Sequence, residues 1–111
     1  MEDRELLELA AKAAGIKFDG IANECGLWAE IYENNCWGAW NPITDDGDAL
    51  RLAVNLQLGI SIPPVVDGRI EVVTFYGPII SIVEYPQNND RNAATRRAIV
   101  RAAAEIGKQM P

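Results

Sequence analysis

The chain has 111 residues, 49% of them hydrophobic and 23% charged, which predicts a single folded domain with one modest core rather than a disordered segment. Its net charge of −6 argues against a dedicated duplex-DNA or RNA binder, because neutralising phosphates needs a surplus of Lys and Arg. Histidine is absent, which excludes Ser-His-Asp and Cys-His catalysis, imidazole acid/base work and His-ligated metals.

The charge is unevenly placed. Residues 1–50 hold eleven acids against three bases, and residues 87–111 hold two acids against five bases. An acidic front and a basic tail can attract each other within one domain or across subunits. No apolar run approaches membrane-spanning length, and the start, MEDRELLELAAKA, is an acidic amphipathic segment unlike a signal peptide. A cytoplasmic location with no membrane partner is therefore expected, with Cys25 and Cys36 as free thiols.

The first helix is predicted from Glu2 or Asp3 to Ala14, with Leu6, Leu9, Ala10 and Ala13 at helical spacing and Gly15 closing it. Ile16 to Ala22 and Leu27 to Tyr32 read as two short strands, joined by a turn over Asn23, Glu24, Cys25 and Gly26. Asn34 to Thr44, dense in Trp, Gly, Asn and Pro, reads as a loop. A second helix is expected from about Gly47, capped by Asp45 or Asp46, largely buried, and ended by Gly59. Ile60 to Val66 and Arg69 to Tyr76 form a hairpin about Asp67-Gly68, and Ile79 to Tyr85 adds a third strand. Pro63-Pro64 places the first of these strands at an edge or bends it. A third helix runs from about Arg91 to Ile106, capped by Asp90 or Asn89 and ended by Gly107. The order is α-β-β-α-β-β-β-α: an α+β fold with helices on both faces of a mainly antiparallel sheet, which would explain why VVTF and IISIV are apolar on both sides.

Two stretches, WNPITDDGDALRLAV (Trp40 to Val54) and AATRRAIVRAAAEIG (Ala93 to Gly107), together with the leading helix ending AAKAAGI, resemble the phage ABA-sandwich domain. That family consists of small proteins encoded in tailed-phage genomes and prophages. The resemblance implies a helix–sheet–helix sandwich and a bacterial host cytoplasm. It implies no activity and no catalytic residues.

Residue by residue, Asp45, Asp46 and Asp48 read as a cap and first-turn acids rather than a cation site, since their spacing does not match a calcium loop. Trp40 with Pro42 reads as a staple under the second helix. Trp37, set on a loop, is the candidate stacking surface for a base or an aromatic ligand. Arg91, Arg96 and Arg97, with Asn92 and Thr95 at the start of the third helix, form a candidate anion site that Arg51 could join. Set against that is a solvated face of salt bridges to the acidic front half. The alanines of the third helix suit close packing within the chain and, secondarily, a homo-oligomer contact.

Three functions follow. The first is a non-catalytic phage protein that binds a host-derived ligand, in one version sequestering a nucleotide immune signal with Trp37 and Trp40 beside the arginines. The second is a protein-interaction factor that inhibits or redirects a host protein. The third, a carboxylate-dependent hydrolase, lacks a nucleophile motif to support it. No cofactor is called for by any of these residues.

Overall fold

In the computed structural model, which describes residues 2–21, 26–32, 36–64 and 68–111, three helices combine with six strands in the order α-β-β-β-α-β-β-β-α. This is an α+β fold with antiparallel pairing throughout the described strands. It departs from the expected order by one strand. The strands also divide into two three-stranded sheets: β1 (Phe18–Ile21), β2 (Leu27–Tyr32) and β3 (Cys36–Trp40) in the first, and β4 (Leu58–Ser61), β5 (Ile70–Thr74) and β6 (Ser81–Glu84) in the second. The extra strand is β3, in the stretch expected to be a loop: its residues pair with β2 from Leu27↔Trp40 to Tyr32↔Cys36. Asn23, Glu24 and Cys25 of the first expected turn, Asp67 of the second and any pairing of Cys25 lie outside the described residues.

Helix α1 (Asp3–Ala14) buries Leu6, Leu7, Ala10 and Ala11. It closes on Gly15, whose φ of 71° is cheap only for glycine, while the N–H groups of Gly15 and Ile16 satisfy the carbonyls of Lys12 and Ala11. Helix α3 (Arg91–Lys108) is the centre of the molecule and buries Ala94, Ala98, Ile99, Val100, Ala102, Ala103 and Ala104. The two helices run parallel: Asp3 meets Arg97 near their starts, and Lys12 donates to the Met110 carbonyl near their ends.

Their approach is close because the residues between them are small. Gly107, expected to end α3, instead lies inside it and is buried. A Cβ there would stand 2.1 Å from the Leu9 carbonyl oxygen. The alanines of α3 are likewise used within the chain, so they leave little small-residue surface for a second copy.

Each sheet turns one face to the helices. In the first, Leu27, Ala29 and Trp40 are buried while Trp28 points outward. In the second, Ile70 and Val72 are fully buried, facing α3. The apolar outer face of VVTF has a different cause from the one expected, since Val73 and Phe75 point away from α3 and the Phe75 ring covers Gly59.

Helix α2 (Asp46–Asn55) buries Ala49, Leu52 and Ala53 but leaves Leu50 61% and Val54 68% exposed, so it is amphipathic rather than largely buried. It ends four residues before Gly59, at a turn where Gln57 takes φ 54°, and Gly59 belongs to β4. No described helix is long and apolar enough to cross a membrane.

Candidate functional site

The stretch from Trp40 to Arg51 folds as an interlocked cap. Asn41 starts it: its side-chain Oδ1 accepts from the Ile43 N–H at 3.1 Å, and its carbonyl accepts from Thr44 and Asp45. Asp45 then caps α2, its Oδ2 accepting from the Asp48 N–H at 2.7 Å. Asp48 reaches back, with Oδ2 accepting from the Asn41 N–H at 3.0 Å and Oδ1 from Arg51 Nη2 at 2.7 Å.

Asp48 is only 9% exposed, and its partners account for its burial. Trp40, 4% exposed, and Pro42 pack beneath, and Trp40 borders α2 beside Leu52. Gly26, at φ 106°, lies so near the Trp40 carbonyl that no side chain fits there. The three aspartates thus act as a cap, a buried acceptor and an ion-pair partner. Replacing Asp45 with Ala is expected to cost about 1 kcal/mol in urea unfolding, the ordinary worth of an N-cap, without changing the folded spectrum.

The candidate anion residues are dispersed by this arrangement. Arg96 is tied to α2, Nε donating to the Ile43 carbonyl at 2.7 Å and Nη1 to Asp46 Oδ1 at 2.6 Å. Arg97 pairs with Asp3 on α1 at 3.1 Å, and Arg91 donates to the Pro63 carbonyl at 2.6 Å. Arg101, further along α3, joins Glu84 and the Val83 carbonyl on β6. Thr95 turns its hydroxyl back onto the Arg91 carbonyl, and Asn92 is exposed. Arg51 stays beside Asp48 and Trp40, in a depression separate from the one bordered by Arg96. Two of the four α3 arginines, Arg96 and Arg97, thus bind Asp46 and Asp3 of the acidic first half, while Arg91 and Arg101 tie the helix to Pro63 and to β6.

Trp37 is on a strand, not a loop. It faces outward with Trp28 on the open side of the first sheet, opposite the buried Trp40. Glu30 is its cross-strand neighbour. The structure does not bring Trp37 and the arginines of α3 to one place: the tryptophan faces away from the core that α3 occupies.

What the fold does assemble is an apolar groove of about 330 Å³ between α2, β4 and the first half of α3. Its walls are Ala49, Leu50, Ile60, Ile62 and Ile99, and Asp46, Asn92, Thr95 and the paired Arg96 form the polar rim. Leu50 and Ile62 (51% exposed) stand at its mouth. Asn92, Thr95 and Arg96 thus border one depression, around an apolar floor and apart from Arg91 and Arg97. The sequence signal for the groove is Leu50, a large apolar residue roughly 160° around α2 from the buried Leu52. Comparison with family models, curated proteins and solved structures finds no match to this chain.

Proposed function

We propose that this chain is a non-catalytic accessory protein, of the phage ABA-sandwich kind, that acts in a bacterial cytoplasm by holding an apolar segment of a host protein in the α2–β4–α3 groove. The observation that carries the proposal is the pairing of that groove with exposed Leu50 and Ile62 at its mouth. Large apolar side chains around a concave surface, rimmed by polar groups, mark sites of association. The guanidinium at the rim already holds a carbonyl and is paired with Asp46, so a phosphate entering there meets a cation whose charge is already balanced and a carboxylate that repels it. Sequestration of a nucleotide is the second reading, favoured by Trp28 and Trp37 on one open face, where two bases or a base and a ribose could stack.

The test compares wild type with Leu50→Glu/Ile62→Glu, a variant whose changes lie at exposed positions and should leave the fold intact. We expect one host protein to be recovered stoichiometrically by wild type and lost by the variant, and calorimetry with cyclic and ADP-ribose-type nucleotides to give no heat. Recovery unaffected by the variant, or nucleotide heat that Trp37→Ala abolishes, would overturn the groove as the site.

A further inference from the structure

An open strand edge, independent of the groove, carries a second conclusion. The Glu30 N–H donates to the Lys17 carbonyl at 2.9 Å, so the backbone groups of Glu30 face β1. Alternation then turns those of Ala29 toward its partner Gly38 on β3, and leaves the N–H and C=O of Trp37 and Ala39 pointing out of the sheet. The next outward donor, Asn41 N–H, is closed by Asp48. No hydrogen bond from a described residue reaches the outward groups of Trp37 and Ala39.

The other three edges are blunted. Strand β1 carries exposed Asp19, an irregular register and Gly20 at φ 74°. Strand β4 runs out toward Pro63-Pro64, and Arg91 holds the Pro63 carbonyl. On β6, the outward Val83 carbonyl is taken by Arg101. Charges, prolines and bulges of this sort are how sheets avoid adding strands. Strand β3, Cys-Trp-Gly-Ala-Trp, carries no charge and no proline, and the register irregularity of its ladder with β2 lies at the Cys36 end, leaving Trp37 to Trp40 in regular pairing.

We propose that β3 pairs antiparallel with the β3 of a second copy of this chain, about a two-fold axis through Gly38. The residues point to a second copy rather than a foreign strand because the segment is self-complementary under that axis. Trp37 of each copy lies opposite Ala39 of the other, large against small, and each such pair exchanges both its backbone hydrogen bonds. Gly38 meets Gly38 at the non-bonded position, where the chains approach most closely. The result is an isologous six-stranded sheet whose outer face carries Trp28 and Trp37 from both copies.

The test is molar mass by light scattering over a concentration series, with amide hydrogen exchange at Trp37 and Ala39. The mass should rise to that of two copies while those two amides become protected. Ala39→Pro removes an outward N–H that the β2 ladder does not use, and Ala39→Lys adds an edge charge at an exposed site. Both should remain monomeric with an unchanged far-UV spectrum, and the Lys variant covers the case in which proline disturbs the strand. A single-copy mass at every concentration would overturn the proposal. So would a two-copy mass that persists in Ala39→Lys while the Trp37 and Ala39 amides exchange freely.

Discussion

Gly107→Ala is expected to lower stability by about 2 kcal/mol, and the melting temperature by about 10 °C, although alanine is the better helix former. Helix propensity alone favours the substitution by up to about 1 kcal/mol in a helix interior. The opposing term is larger. The new methyl group would sit 2.1 Å from the Leu9 carbonyl oxygen, and the obstacle is backbone rather than a side chain that can swing away. Helices α1 and α3, which both bury alanines, must then separate, and overpacking of this kind costs about 1–3 kcal/mol. Lys108→Ala, next in sequence but exposed, should change stability by no more than about 0.5 kcal/mol. Thermal unfolding of the pair checks this directly, and a rise in melting temperature for Gly107→Ala would show that the parallel helices are not in backbone contact.

The second large effect is expected at Asp48. Substitution by Ala removes the acceptor for the part-buried Asn41 N–H and the close partner of Arg51. An unsatisfied buried donor costs about 1–3 kcal/mol, and the lost charge-assisted bond adds to it. We expect a loss of about 2–3 kcal/mol, against about 1 for the neighbouring cap Asp45. Asp48→Asn keeps an acceptor for Asn41 and should lose less than Asp48→Ala. Equal losses for Ala and Asn would mean that the negative charge toward Arg51, rather than the bond to Asn41, holds the loop.

These two positions also show where sequence was informative and where it was silent. The start of α2 was legible because its chemistry is local: an aspartate accepts from an N–H three residues on, and the pattern stands in one line of sequence. Gly107 was misread because glycine after an apolar run resembles a helix stop, whereas its function is set by Leu9, almost a hundred residues away. Strand β3 was hidden by its composition, since Trp and Gly amid Asn and Pro carry turn signals, and only pairing with β2 makes them a strand. The division into two sheets was equally invisible, because neither pairing partner nor sheet membership is encoded locally.

The candidate site was legible in part. Arg96, Asn92 and Thr95 do border one depression, as helical spacing predicts. The acidic front half is legible as the partner of the arginines from charge placement, but the individual pairs, Asp46 with Arg96 and Asp3 with Arg97, depend on the packing of α1 and α2 on α3. The apolar richness of α2 predicts a largely buried helix, yet Leu50 stands at the mouth of the groove.

The interlocked cap of Asn41, Asp45 and Asp48 is architecture, and the groove with Leu50 and Ile62 at its mouth is the proposed binding surface. Stability and host-protein binding measured on one set of variants test this division most directly. The account predicts that Asp45→Ala and Asp48→Ala lower the unfolding midpoint while the folded fraction binds as wild type, and that Leu50→Glu/Ile62→Glu keeps the midpoint but loses binding. The opposite result, aspartate variants that stay stable but fail to bind beside a groove variant that binds normally, would contradict it.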